Sequence, residues 1–451
     1  MNLFKFSAVT LLCILLTGNI NANVKLASPF GDHMVLQRNK TVPVWGTASP
    51  GEKVTITFNT QKKSIVTGAD GTWRVNLSKL NAGGPYTMIV KGTNTLTLQD
   101  VYVGEVWLCS GQSNMDFTVA REDRYWCGVF NEKEEVSNAN YPLIRVFDTD
   151  FTPSEEVQKE VKGIWEIVSP KTVGHVSAVA YFFARDLQKK LNVPIGLITT
   201  AFGASTAEAW ISKPALEANP KFSLLLTSFK EKLDKYKKDT AAQTKYKIAY
   251  EKWKIEAAKA KAEGKDELRG IRNPNPVFDQ HNPCVLWNGM VAGLVPYAIQ
   301  GALWYQGESN SPTASIYREL METLIRDWRK QWNQGDFPFL YVQLANIGKE
   351  YETEPAKGGA EAIKREAQLF NLSIPKTAMA VAIDNADSLN MSNVHPKNKQ
   401  EISRRLVLAA RAVAYGEKIT YSGPLFDKMK VIGNTIRLQF KSTDAGLICK
   451  G

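Results

Sequence analysis

The sequence predicts an α/β protein: a parallel sheet wrapped by helices, entered through an all-β module and interrupted by a helical insertion. Three observations carry this. From about residue 101 onward, apolar strand-like runs alternate with amphipathic helical stretches, the pattern of a helix-covered parallel sheet. Residues 24–100 instead hold only short runs rich in β-branched and aromatic residues. Residues 219–276 are rich in Lys, Ala and Glu, which are strong helix formers, and break the alternation.

In the first segment the runs are MVLQ, VPVWG, KVTITF, KSIVTG, TWRVNL and YTMIVKG, separated by turn signals such as Asp70-Gly71 and Gly92-Thr93-Asn94. They predict a sandwich-like module over 24–100. In the second segment VYVGEVWLC, VPIGLITTAFG, GALWYQG, PFLYVQLAN and TAMAVAID read as buried strands. Between them Val176, Val179, Phe182, Phe183, Leu187 and Leu191 share one helical face, as do Ile316, Leu320, Leu324 and Trp328. A helix from about Asn398 to Tyr415 closes the α/β unit, expected over 101–416. The insertion ends in Asn273-Pro274-Asn275-Pro276 and reads as a solvated helical hairpin. Residues 417–451 read as the start of a β-rich unit with a turn at Gly433-Asn434; the unit does not finish, so a truncated chain is expected.

Composition narrows the function classes. With 451 residues, 44% hydrophobic and 22% charged, the chain is globular rather than disordered or fibrous. Its formal charge of +11 is concentrated: residues 221–270 hold 14 Lys and Arg against 8 Asp and Glu, a local excess of 6. Such a run reads as a solvated helical face, so no nucleic-acid partner is expected. Lys5, the apolar run Phe6–Leu16 and the small, polar residues up to Ala22 read as a signal peptide over 1–22, too short to span a bilayer. The protein is therefore expected to be exported to a periplasmic or extracellular space, with no membrane span. Beyond the leader, Cys109, Cys127, Cys284 and Cys449 are widely spaced and form no CxxC or Cys/His cluster, so neither a metal nor a cofactor is expected.

Ligand and reaction sites in parallel sheets lie at the carboxyl ends of the strands. Four polar, glycine-bearing or His-bearing turns fall there: Ser110-Gly111-Gln112-Ser113-Asn114-Met115, Phe202-Gly203-Ala204-Ser205, Gln306-Gly307-Glu308-Ser309-Asn310, and Asn393-Val394-His395-Pro396. Together they match acyl transfer, which needs a hydroxyl nucleophile, a base within hydrogen-bond reach and donors aimed at an oxyanion. Ser113 lies in a tight turn. Of the four His, His33 falls in the β-module and His175 opens a helix, which leaves His395 as the favoured base and His281 as its rival.

The stretches Trp107-Leu108-Cys109-Ser110-Gly111-Gln112-Ser113-Asn114-Met115, Trp304-Tyr305-Gln306-Gly307-Glu308-Ser309-Asn310 and His395-Pro396-Lys397-Asn398-Lys399 resemble the sialate O-acetylesterase family of SGNH hydrolases. The resemblance implies a three-layer α/β/α SGNH-hydrolase-like core and a serine esterase that removes O-acetyl groups from a carbohydrate, O-acetylated sialic acid first. It implies Ser113 as nucleophile and His395 as general base. The implied oxyanion donors are the N–H groups of Ser113 and Gly203 and the side-chain amide of Gln306. Glu308 is left to brace the Gln306 loop or to touch sugar hydroxyls. Acetylxylan or another hemicellulose ester is the alternative substrate, and a sugar-binding relative with impaired catalysis the alternative class.

Two positions depart from the family pattern. Ala204 stands where a second glycine is common, at a cost of about 1 kcal/mol if that residue is left-handed. Asn393 stands where the family often has an Asp before the His. The acid is then expected to be Asp384, at the end of TAMAVAID, ahead of Asp387, with a Ser–His dyad as the third case.

Overall fold

The computed structural model describes residues 23–443, 446 and 447, apart from 123, 125, 265–267, 269, 348–358 and 387–391. The 1–22 leader, Asp387 and Cys449 lie outside the described residues.

The first seven strands are β1 (Lys25–Leu26), β2 (Val35–Gln37), β3 (Val42–Thr47), β4 (Lys53–Phe58), β5 (Gln61–Val66), β6 (Thr72–Leu77) and β7 (Gly83–Lys91). Alternation decides which side chains go inward: Val54, Ile56 and Phe58 from β4, and Trp73, Val75 and Leu77 from β6, are buried while their neighbours are half-buried or exposed. Each such burial contributes about 1.5–3 kcal/mol.

Strand β8 (Thr95–Gly111) runs 17 residues and belongs to both halves of the protein. Its first part alternates and pairs antiparallel with β7; its second part is buried continuously and pairs parallel with its neighbours on both sides. The expected boundary at 100/101 therefore falls inside one strand. No Gly or Pro ends the strand there; instead Asp100 takes a φ of 54° and the register with β7 slips, a bulge that joins the two halves.

The rest of the chain supplies α1 (Ser113–Asp116), α2 (Glu132–Ser137), β9 (Tyr141–Thr149), β10 (Gly163–Val168), α3 (Ala178–Leu191), β11 (Ile195–Ala201), α4 (Lys213–Glu217), α5 (Ser223–Lys238), α6 (Thr240–Ala262), β12 (Gly301–Tyr305), α7 (Tyr317–Trp332), β13 (Phe339–Gln343), α8 (Ala360–Phe370), β14 (Thr377–Val381), α9 (Lys399–Val413), β15 (Leu425–Ile432) and β16 (Thr435–Lys441). The central sheet has the order β10-β9-β11-β8-β12-β13-β14. Pairings from β9 across to β14 are parallel, and β10 closes one edge antiparallel, so the sheet is mixed rather than wholly parallel. Strands β9 and β10 escape sequence reading because buried Arg145 and charged Asp148 and Glu166 interrupt their apolar runs.

The pleat sends alternate side chains to two cores. Trp107 and Cys109 of β8 join Phe183 of α3 and Leu406 of α9 on one face; Val106 and Leu108 join the core that holds Leu320 and Leu324 of α7 on the other. Helices thus cover both faces. The 219–276 segment holds α5 and α6, where Leu233 and Ala260 are the buried residues, so most of the hairpin is bathed in water. β15 and β16 form a separate hairpin turning at Gly433, φ 58°. No helix among the described residues is long and apolar enough to cross a membrane.

Candidate active site

Strand β8 ends at Gly111, and only glycine fits there. Its φ is +146°, and a Cβ would stand 2.1 Å from the carbonyl oxygen of Tyr305 on the adjacent β12. The close approach brings the turn after β8 against the turn after β12. Gln112 knits them: its Oε1 accepts from the N–H groups of Gly307 and Ser309, both at 3.2 Å. Ser113 then opens α1, where its N–H has no intrahelical acceptor.

Ser113 Oγ lies 2.8 Å from His395 Nε2. Asn393 fixes the His395 loop through its backbone, accepting from the His395 N–H at 2.9 Å and donating to its carbonyl at 3.1 Å. The ring rests on Trp126, with centroids 4.8 Å apart. Burial, helped by the nearby charge of Lys399, pushes the His395 pKa down to about 4. At neutral pH the imidazole is unprotonated, and Nε2 is free to accept the serine proton. The other three histidines pair elsewhere: His281 with Asp279 at 2.6 Å, His175 with Glu166 at 2.7 Å and His33 with Asp100 at 2.7 Å. His281, the rival base, is thereby excluded from this geometry.

Gly203 comes to the same place from β11. A Cβ built on it would lie 3.8 Å from Ser113 Cβ and 3.9 Å from Asp116 Oδ2. Ala204 adopts φ 56°, the left-handed conformation that makes alanine costly at this departure from the family pattern. Ala204→Gly is expected to stabilise the fold by about 0.5–1 kcal/mol, the relief of strain less the added entropy of the unfolded chain; chemical denaturation would measure it.

Two expectations need correction. Gln306 does not present its amide to Ser113. Its Nε2 donates to Ser205 O at 3.1 Å and to Asn310 Oδ1 at 2.6 Å, which uses both hydrogens, and its Oε1 accepts from the Tyr317 hydroxyl at 3.1 Å. Gln306 is a fully buried brace in this structure. The cause is Asn310, four residues further along the same turn. It bridges the Ala207 N–H and Glu208 Oε2 and so captures the amide. Asp384 does not face His395 either. Strand β14 stops at Val381, so Asp384 stands in a turn rather than on an anchored strand end, 61% exposed and gripped by both terminal nitrogens of Arg405 at 2.6 and 2.8 Å.

Behind Ser113 lies a buried group that motif reading did not interpret. Asn114 Nδ2 donates to Glu308 Oε1 at 2.5 Å and to Val394 O at 2.9 Å, while its Oδ1 accepts from Lys399 Nζ at 2.5 Å. Glu308 Oε1 is thus taken up by Asn114, while its Oε2 is buried with no hydrogen-bond partner among the described residues. On the other side of Gly203 opens a cavity of about 240 Å³ lined by Asp116, Asp148, Asp150, Arg124, His175 and Thr199, among others. Arg124 holds Asp116 Oδ1 at 2.9 Å, yet burial raises the Asp116 pKa to about 6 and lifts that of Asp148 as well.

Comparison with known proteins follows the same lines. The family described as carbohydrate esterase, sialic acid-specific acetylesterase, matches residues 103–245 and 287–412. Mouse sialate O-acetylesterase is 30% identical, over 95% of this chain and 81% of its own length. The rat sialate O-acetylesterase is 31% identical, over 90% of this chain and 77% of its own. The crystal structure of a carbohydrate acetylesterase from Xanthomonas citri superposes with a TM-score of 0.73 at 31% identity, covering 93% of this chain and 82% of that one.

Proposed function

Because the chain belongs to the carbohydrate esterase family of sialic acid-specific acetylesterases, and is thus an ester hydrolase acting on acetylated carbohydrate, we propose that it works as a serine esterase with an SGNH-type α/β/α core. One observation carries the reading: Ser113 Oγ and His395 Nε2 are 2.8 Å apart at the carboxyl edge of the sheet.

Ser113 Oγ attacks the acetyl carbonyl carbon as His395 Nε2 takes its proton. Negative charge gathers on the former carbonyl oxygen, opposite the N–H groups of Ser113 and Gly203. The intermediate collapses: the ester C–O bond breaks, His395 returns the proton to the departing sugar oxygen, and the acetyl group stays on Ser113. Water, deprotonated by His395, then attacks the acetyl-enzyme and releases acetate. The ring must be held while its charge rises and falls, and Asp387 is the acid assigned to Nδ1.

O-acetylated sialic acid is the first substrate, in keeping with the family. A neutral acetylated polysaccharide such as acetylxylan is the second. It is favoured by the cavity beside Gly203, where three aspartates stand against one arginine already paired with Asp116. Carboxylates of this kind suit sugar hydroxyls better than a sugar acid. Acetate release from a panel holding O-acetyl sialic acids and acetylated xylan decides between them; binding of both without release of acetate would leave a sugar-binding relative. The leader at 1–22 directs the protein to export, which N-terminal sequencing of the mature protein from the periplasm or medium tests.

A further inference from the structure

The mechanism above leaves a buried cation beside Ser113 and His395 without a task. Lys399 is fully buried, its ammonium 4.5 Å from the ring centre of Phe117 and 5.3 Å from that of Tyr305. An ammonium stripped of water costs several kcal/mol unless it is paired. The partners supplied are Asn114, at 2.5 Å, and beyond it the carboxylate of Glu308.

The geometry makes sense of that cost. Asn114 follows the nucleophile, and its Nδ2 also donates to Val394 O, the carbonyl just before His395. One amide thus ties the turn after β8 to the loop that carries the base. A carboxamide can sit either way round, and the reversed form would set its oxygen against the Val394 carbonyl. A protonated lysine can only donate and an ionised glutamate can only accept. With Lys399 on one side and Glu308 on the other, a single orientation survives.

We infer that Lys399 and Glu308 are positioning residues that act through Asn114, locking the amide that holds the Ser113 turn to the His395 loop. The inference rests on the Ser113–His395 reading above. It assigns Glu308 to the clamp rather than to sugar hydroxyls, and it has an electrostatic consequence. The Lys399 charge opposes a second positive charge on His395. Burial pulls the Lys399 pKa down to about 7, against Glu308 and the Cys127 thiol, the other groups facing it, which favour its charged form; in the acid range the ammonium is charged. Glu308 is faced in turn by Asn114, Lys364 and the hydroxyls of Tyr305 and Tyr317. His395 is faced by Ser113, Lys399 and the rings of Trp126 and Phe117.

The test is kcat and KM across pH on a chromogenic acetyl ester for wild type, Ser113→Ala, Lys399→Met, Lys399→Arg, Glu308→Gln and the Lys399→Met/Glu308→Gln pair. Lys399→Met is expected to lower kcat about ten- to a hundredfold through misplacement of the reacting pair, with KM little changed. Its acid limb should move up by about one pH unit as the opposing charge is lost. Lys399→Arg should return the limb toward wild type. Glu308→Gln should lower kcat without moving the limb, because Lys399 stays charged in acid. If Lys399→Met alone does not fold, the double variant, which buries no lone charge, should show the raised limb. An unmoved limb in the lysine variants, or a change confined to KM, overturns the inference. Activity surviving in Ser113→Ala would instead overturn the serine mechanism beneath it.

Discussion

Ser113→Ala is expected to fold as the wild type does and to hydrolyse acetyl esters about 10⁶-fold more slowly, the scale of loss when a triad nucleophile is removed. The fold should survive because the substitution leaves Cβ in place and deletes one oxygen, whose hydrogen bond goes to His395 and not to the scaffold. The turn is held by other means: Gly111 against Tyr305, Gln112 on two backbone N–H groups, and Asn114 on three partners. Thermal melting should therefore match that of wild type. What activity remains would come from the oxyanion donors and binding alone. Retention of a tenth of the wild-type rate in a purified variant would remove Ser113 as the nucleophile.

The part of this site that could be read in advance is the part set by local chain chemistry. Ser113 follows the end of β8 and His395 lies in the loop before α9, and with four histidines in 451 residues elimination narrowed the candidate base to His395 and His281. The polar turn that holds Gly111 was read as part of the site, and the structure adds its reason, a close approach to β12. What could not be read depends on contacts remote in sequence. The amide of Gln306 looks like a donor awaiting an oxyanion until Asn310 and Ser205 are seen to hold it. Lys399 reads as a charged residue in the first turn of an amphipathic helix. Only the fold brings Glu308, over ninety positions away, to within one side chain of it. The merger of the two halves through β8 was hidden for a different reason: the run from Thr95 to Gly111 changes its burial pattern without any residue that would end a strand.

Asp387→Asn is expected to lower kcat about 10³–10⁴-fold at neutral pH, the loss seen when the acid behind a catalytic histidine becomes an amide, whereas Asp384→Asn should stay within several-fold of wild type. In the proposed mechanism, proton transfer from Ser113 would make His395 an imidazolium in a buried setting, where burial and Lys399 already disfavour positive charge. A carboxylate at Nδ1 would offset that penalty and fix the ring so that Nε2 faces Ser113. Among the described residues no carboxylate hydrogen-bonds the His395 ring. Asn393, at the family's usual acid position, is spent on the backbone of His395. Asp384 is spent on Arg405, at a position mostly exposed to water. Only one other carboxylate lies between β14 and His395 in the sequence, and that is Asp387. Each variant should be measured for kcat across pH alongside its melting temperature, since an effect on folding would lower both together. A large loss in Asp384→Asn with none in Asp387→Asn would reverse the assignment. Near-wild-type rates in both would leave Ser113 and His395 as a dyad, with the neutral ring held by Trp126 and the Asn393 turn alone.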